Sequence, residues 1–446
     1  MSLLKCTWLS TLLLFSLQAI CQQQTLHEFS VKDCVEYALK NNVKVKNALL
    51  DIEIQKQDNR VTTARALPSL NGAGSYTDNV LIQTQLLPGE FFGQPAGTYV
   101  PVKFGTQYYT SGSVTLQQTL FDGEVFIGLQ ARKTSIDYRQ KAAALTQDII
   151  RANIYKIYYQ LIVSKVQIQQ LDANIARSQN LLHVNTELNK NGFAEKLEVN
   201  KSEVQLANFQ TEKLSAQSQI DNGYYGLKFL MGMPEKDSLA LTDSVTDDQL
   251  KQGLLDEGVY DYNNRNDYLL YKSLNLLNEY NVKRYKLSYY PTLSVTGNYA
   301  RVGQGNSFNV FGKGQWFNSA YVGLNLSVPI FSGFSKNANV KEAELQLQQS
   351  QNTLNNLKDS IDNAVLQSIN SYHSAIAALD YQKKNVALAE DVYNQSQKKY
   401  ESGLGTTLDI TNAQADLTIA QSNYVNAMYD AVIAQINYLD ATGQLK

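Results

Sequence analysis

Four segments of the chain alternate between a mainly apolar and a mainly polar set of positions. On 67–76, Leu70, Gly72, Gly74 and Tyr76 face one way and Ser69, Asn71, Ala73 and Ser75 the other; on 112–121, Val114, Leu116 and Leu120 oppose Ser113, Thr115, Gln117 and Thr119. The later pair is cleaner. Leu293, Val295 and Tyr299 oppose Thr292, Ser294, Thr296 and Asn298 on 291–300, and Val322, Leu324, Leu326, Val328 and Ile330 oppose Tyr321, Gly323, Asn325 and Ser327 on 321–331. A period of two predicts β-strands. Strands of about ten residues with one apolar and one polar face have the length and pattern of outer-membrane barrel strands. A half-buried sheet in a soluble sandwich is the alternative.

Between the strands the period changes. From Phe334 to about Glu401, Leu354, Leu357, Ile361, Val365, Ile369, Tyr372, Ile376 and Leu379 step by three or four residues, close to coiled-coil spacing. All seven prolines lie outside 102–233 and 330–446, so nothing in those stretches breaks a helix. Two long helices are predicted, 124–191 and 334–401, each roughly 68 residues and roughly 100 Å long. Each ends at a glycine, Gly192 or Gly403, and is followed by a shorter helix, 195–231 or 406–442. Helices near 33–66 and 256–288 supply the missing rise: 195–231 with 256–288, and 406–442 with 33–66, each match a long helix. The expectation is four helical columns of equal height. The polar, acidic stretch 233–254 reads as an irregular equatorial link outside them.

The elements occur twice in the same order, about 210 to 223 residues apart. Leu67-Pro68-Ser69-Leu70 answers to Tyr290-Pro291-Thr292-Leu293. Asn191-Gly192-Phe193 with Leu197-Glu198-Val199 answers to Ser402-Gly403-Leu404 with Leu408-Asp409-Ile410. The expected organisation is a signal peptide 1–21, a first repeat 22–232, the link 233–254 and a second repeat 255–446, the repeats being interlocked halves of one unit.

Composition narrows the function classes. Net charge is −2 over 446 residues with no long Lys/Arg block, which argues against a nucleic-acid partner. Lys5, the apolar run from Trp8 to Leu17, and Ala19-Ile20-Cys21 before Gln22 form a secretory signal. Cys21 also permits lipidation after cleavage in front of it, although Ile20 is a poor residue for that processing. After Gln22 the only cysteine is Cys34, so neither an intramolecular disulfide nor a cysteine metal cluster is available. The three histidines, His27, His183 and His373, form no motif. His183 and Glu187 share a helix face, but a lone pair of this kind is usually solvated surface. No metal, cofactor or enzymatic activity is expected.

The surroundings of the strands favour outer-membrane lipid. Tyr289, Tyr290, Phe121, Phe126, Phe331 and Phe334 crowd one end, where an interfacial girdle would lie. The loops at the other end, 77–110 and 302–320, are long and rich in Gly, Asn and Tyr. Four strands cannot close a barrel, and an open edge in lipid leaves backbone groups unpaired. Several copies must share one barrel.

With these residues in view, the chain resembles the TolC-like outer-membrane efflux proteins over nearly all its length after the signal. The most specific piece is Tyr400-Glu401-Ser402-Gly403-Leu404-Gly405-Thr406-Thr407-Leu408-Asp409-Ile410, followed by Ala413-Gln414 and Leu417, which is similar to that family's helix-turn-helix tip. Val-Pro-Ile-Phe-Ser-Gly at 328–333 also resembles family patterns. The resemblance implies a mainly α chain with transmembrane β, forming a homotrimer with a twelve-stranded barrel in the outer membrane and a twelve-helix periplasmic tunnel. It implies a pore constriction at Asp409, its repeat partner Glu198, Asn412 and Tyr400. It also implies tips at Gly192, Phe193, Gly403 and Leu404 that touch a periplasmic adaptor. Bland readings remain for each: acids in a helix's first turn favour its dipole, glycine at a helix end is the ordinary left-handed cap, and Tyr400 can simply be packed. The chain departs from the family's pattern at Asn412, where a second acid is frequent, and at Gly405, where a basic latch residue is frequent.

The implied function is a passive exit duct for small toxic compounds, working with the adaptor and an inner-membrane pump. A polypeptide secretion duct and a structural coiled-coil protein of the envelope are the alternatives.

Overall fold

The computed structural model describes residues 26–251 and 260–445. The signal peptide expected at 1–21, the candidate lipidation residue Cys21, and the junction between link and second repeat at 252–259 lie outside the described residues. The first elements are β1 (Leu26–Phe29), α1 (Val31–Asn41), α2 (Val43–Ala64), β2 (Ser69–Asp78), β3 (Thr84–Pro88), β4 (Tyr99–Lys103) and β5 (Tyr108–Phe121). Then come α3 (Gly123–Lys190), α4 (Lys196–Met231), β6 (Ser238–Leu241), α5 (Asp247–Lys251) and α6 (Asn266–Leu287). The last are β7 (Thr292–Gly305), α7 (Val310–Lys313), β8 (Gln315–Ser327), α8 (Ser335–Glu401) and α9 (Thr407–Ala441). The chain is mainly helical with a smaller β component. No described helix is long and apolar enough to cross a membrane.

The chain divides into two units. One, Asp51–Arg139 with Tyr271–Leu354, holds a four-stranded antiparallel sheet in the order β2-β5-β7-β8. The β5–β7 pairing, with Val114 opposite Tyr299 and Leu116 opposite Gly297, joins the two repeats into one sheet. Register aligns Leu70, Leu116, Gly297 and Val322 across all four strands, so one face carries Leu70, Val114, Leu116, Tyr299, Val322, Leu324 and Leu326. That face is exposed: Val322 is 82% and Leu324 71% accessible. The opposite face is polar and stitched by side chains. Ser75 Oγ lies 2.8 Å from Ser111 Oγ, Asn298 Nδ2 donates to Thr115 Oγ1 at 2.8 Å, and Asn325 Nδ2 donates to Thr296 Oγ1 at 3.0 Å. β2 and β8 are the outer strands, each paired on one side only among the described residues.

Helical segments attach at one end of this sheet. Pro68 and Pro291 stand just before β2 and β7, where a missing N–H interrupts no ladder. The Asp122 carboxylate accepts from the Glu124 amide at 2.8 Å and starts α3 directly after β5. Within this unit Asn59 Nδ2 donates to the Arg132 carbonyl and Arg132 Nη1 to Thr63 Oγ1, at 2.8 and 2.7 Å, tying α2 to α3.

The second unit, Met1–Leu50, Gln140–Leu270 and Asn355–Lys446, is mainly helical over its described residues. One core gathers Cys34, Val35 and Ala38 of α1, Ile154, Tyr158 and Leu161 of α3, and Leu227 and Met231 of α4. Another joins α3 to α8 and α9 through Ala152, Val163, Tyr372, Leu379, Ala431 and Val432. Tyr158 ties the link to the first of these cores, donating to the Phe29 carbonyl and accepting from the Asp243 amide, both at 3.1 Å.

Several expectations need correction. The strand predicted over 321–331 starts earlier, at Gln315, and stops at Ser327, because Pro329 has no N–H to give a ladder. The helix predicted over 33–66 is broken at Asn42. This buried side chain accepts from the Lys44 amide at 2.8 Å, capping α2, and donates to the Leu230 carbonyl at 2.7 Å. The link is not wholly irregular: β6 pairs in parallel with β1, Leu26 opposite Ser238. The loop predicted over 77–110 contains the hairpin β3–β4.

Candidate functional site: the two helical tips

Both turns predicted as tips close in the same way. Gly192 (φ 78°) and Gly403 (φ 72°) adopt the left-handed conformation after α3 and α8. The Gly192 amide reaches the Asn189 carbonyl at 3.0 Å and the Phe193 amide the Leu188 carbonyl at 2.8 Å. Gly403 and Leu404 reach Tyr400 and Lys399 with the same pattern, at 3.0 and 2.9 Å. This is the Schellman closure, in which the residue after the glycine normally packs back on the helix. Gly232 ends α4 by the same closure, and its following residue, Met233, is 4% exposed. At the tips the equivalent residues point outward: Phe193 is 82% and Leu404 83% exposed.

Behind the tips lies a run of buried polar contacts. Tyr400 Oη donates to Asn185 Oδ1 at 2.5 Å and accepts from Thr407 Oγ1 at 3.3 Å. Asn185 Nδ2 donates to Ser202 Oγ at 2.7 Å, and Ser202 donates to the Glu198 carbonyl at 3.0 Å. The end of α8, the start of α9, α3 and α4 are thereby joined around one fully buried amide. Farther along the α3–α9 seam, Gln414 Nε2 donates to Ser178 Oγ at 3.1 Å and Asn174 Nδ2 to Gln421 Oε1 at 2.9 Å. An apolar layer of Leu181, Tyr393, Ile410, Ala413 and Leu417 lies among them. Sequence reasoning singled out Tyr400, as a constriction residue or a packed ring, but not Asn185, Ser202, Asn174 or Gln421. Single amides and hydroxyls on a long polar helix give no signal until their partners, up to 247 residues away, are known.

The two acids foreseen as repeat partners sit differently. Asp409 is the third residue of α9 and forms a capping box: Thr406 Oγ1 and the Thr406 amide donate to Asp409 Oδ2 at 2.7 and 3.0 Å, while the Asp409 amide donates to Thr406 Oγ1 at 3.2 Å. The Thr406 hydroxyl, then its amide, hold this exposed carboxyl below the usual carboxylate range. In the first repeat Glu195 stands before α4 with no side-chain cap, and Glu198 pairs with Lys201 at 2.9 Å. Asn412 is exposed, as is Asp416, which lies two helical turns beyond Asp409 on the same face. Sequence reasoning passed over Asp416. Glu187, considered with His183 as a metal pair, instead meets Lys190 at 2.7 Å. Among the described residues no three metal-ligating side chains converge.

The profile of the family described as "Outer membrane efflux protein" matches residues 34–233 and 278–444, both repeats with both tips. The chain belongs to the outer membrane efflux protein family. Proteases secretion protein PrtF of Dickeya chrysanthemi is 22% identical over 395 residues, covering 86% of this chain and 81% of that protein. Outer membrane protein TolC of Escherichia coli is 23% identical over 338 residues, covering 71% and 67%. The crystal structure of outer membrane protein VceC of Vibrio cholerae superposes with a TM-score of 0.74 at 17% identity, covering 93% and 96% of the two chains. As a member of the outer membrane efflux protein family the chain is a bacterial outer-membrane export duct with a periplasmic domain, and not an enzyme. The tips are therefore considered as parts of a conduit.

Proposed function

We propose that three copies of this chain close their sheets into a twelve-stranded barrel and their helices into a twelve-helix periplasmic tunnel, each chain giving both repeats, 22–232 and 255–446, with 233–254 as an equatorial link. The duct works in a tripartite system, taking small toxic compounds from an inner-membrane pump through a periplasmic adaptor. One observation carries this reading: a four-stranded sheet with an exposed apolar face, a polar reverse face, and two outer strands paired on one side only. Such a sheet is stable in lipid only when other copies close it, because unpaired backbone groups in the hydrocarbon region are too costly. In that assembly Asp409, with Asn412, Asp416 and Tyr400 near it and Glu198 in the other repeat, lies at the periplasmic constriction. Carboxylates around one axis attract cations. Phe193 and Leu404, beside Gly192 and Gly403, are apolar residues at exposed turns and form the adaptor contacts.

The test is the native mass of the protein extracted from outer membranes in mild detergent after gentle cross-linking. Three copies, with or without adaptor, are expected; a monomer independent of detergent would overturn the shared barrel. A second reading, a secretion duct for polypeptides, is favoured by the similarity to a protein named for protease secretion. Deleting the gene separates the two. Loss of tolerance to small toxic compounds supports efflux, and loss of secreted polypeptides with unchanged tolerance supports secretion.

A further inference from the structure

At the loop end of the sheet the apolar face stops at a single cation. Arg301 on β7 stands opposite Gly112 of β5 and Asn318 of β8, and Gly112 stands opposite Gly74 of β2. Arg301 therefore shares the face of Val114, Leu116, Val322 and Leu324, one step beyond Tyr299. Its side chain is exposed, with the guanidinium carbon 5.0 Å from the centre of the Trp316 ring. Among the described residues it has no ion-pair partner.

The surroundings are built rather than incidental. A Cβ on Gly112 would meet nothing within 4 Å, so the glycine row leaves an open floor beside the guanidinium. The resulting trough, about 530 Å³, is walled by Tyr76, Phe311 and Trp316. That wall is held in place by the β7–β8 loop. Tyr76 Oη donates to the Phe308 carbonyl at 3.1 Å, and the Phe308 ring sits edge-on to Tyr76 and Tyr108 at 6.0 and 5.8 Å. Val310 of α7 is fully buried beneath, and Phe311 lies 6.1 Å from Trp316. Aromatic rings around a cation at the margin of an apolar band suit the boundary between hydrocarbon and headgroups. A planar guanidinium free of carboxylates matches the oxygens of a phosphate.

We propose that this trough seats a phosphate of a phosphorylated outer-leaflet lipid. Arg301 donates to the phosphate oxygens, while Tyr76, Phe311 and Trp316 lie against the adjoining sugar or first acyl carbons. The site rests on the apolar face being the lipid face of the barrel. It binds a component of the membrane and not the cargo, since the polar face is on the other side of the sheet.

The test uses the full channel, delipidated in mild detergent, with diphosphorylated lipid A and its dephosphorylated form as probes and retention read by native mass spectrometry. Wild type is expected to retain the phosphorylated probe. Arg301→Gln, and separately removal of the phosphates, should each weaken retention by about ten-fold or more. Gly112→Leu keeps the cation but fills the floor and should also lose the lipid; this variant decides the matter if Arg301→Gln fails to assemble. Equal retention by wild type and variants, or of both probes, would overturn the site. Full displacement by millimolar inorganic phosphate would overturn the lipid as its occupant. The same spectra report the number of chains, so failure of the shared barrel is seen separately from failure of lipid binding.

Discussion

Replacing Tyr400 with phenylalanine removes one oxygen from the junction behind the tips. In the native arrangement that oxygen donates to Asn185 Oδ1 at 2.5 Å, and Asn185 is fully buried, so no water can take over the lost bond. The ring still packs against Leu181, Tyr393 and Ile410, so the apolar term is nearly unchanged. The expected loss is that of one buried acceptor left without a donor, about 1–3 kcal/mol. This falls on local opening of the tip and not on the distant core of Cys34 and Tyr158. Hydrogen exchange of the assembled channel measures it: protection at the ends of α3 and α8 and the start of α9 should fall by about 5- to 150-fold, with α1 unchanged. Asn185→Leu removes the acceptor itself, leaving Ser202 its bond to the Glu198 carbonyl. In that background Tyr400→Phe should have little further effect. An equal loss of protection with and without Asn185 would refute the reasoning, because the two residues would then not act through their shared bond.

Leu404→Asp places a charge at an exposed tip without touching the core; native mass should be unchanged while export falls by about ten-fold or more, as for a lost interface anchor, and normal export would remove this tip from the adaptor contact. Thr406→Ala deletes the cap of α9 and should destabilise its first turn by about 1 kcal/mol, read as lost amide protection at Asp409 and Ile410. Because the folded Asp409 carboxyl titrates below its usual 3.8, the cap's contribution is complete above that pH and fades as pH falls through the lowered value. Gly232→Ala should destabilise more than Gly192→Ala: both glycines have positive φ, but only at Gly232 would a Cβ come within 2.7 Å of a backbone oxygen, that of Asn41, and equal thermal shifts would contradict this. Cys34 is buried, with its thiol pushed up to about 12 by burial first and then by Asp33 and Asp243. It should resist alkylation at neutral pH until the chain is denatured, and stability should decline as pH rises from about 9 towards 12, since the unfolded chain gives up that proton first.

What was legible in the sequence follows from which forces are local. A long helix without proline, a glycine at its end and a strand with alternating faces are each written in neighbouring residues, so α3, α8 and both tips stand within a residue or two of where the pattern puts them. The break at Asn42 was invisible because it is made by an amide reaching Leu230 on another helix. The order β2-β5-β7-β8 was equally hidden, since the middle pairing joins strands from different repeats and no turn connects them. Strand limits failed where the alternation ran on through Pro329, whose apolar neighbours kept the period while its missing N–H ended the ladder. Arg301 escaped notice because an arginine past the end of an alternating run marks a loop in sequence and a headgroup boundary only in the sheet.

The repeat also separates what duplication preserved from what it did not. The Schellman closures at Gly192 and Gly403 share one hydrogen-bond pattern, and both present an apolar residue outward; two copies of one shape are what a repeated contact requires. The charges beside them differ. Glu198 is ion-paired with Lys201, whereas Asp409 is hydrogen-bonded by the neutral Thr406 and feels the Lys399 cation without an ion-pair contact, with Asp416 exposed farther along the same face. In the proposed three-chain tunnel the six tips therefore share one shape, but the repeat-related acid is ion-paired in three of them and not in the other three. Asp409→Asn should accordingly lower the cation preference of the reconstituted channel much more than Glu198→Gln, which also releases Lys201. Equal effects in bilayer recordings would mean that the Lys201 pairing does not survive in the assembled pore, and that the six acids act as one ring.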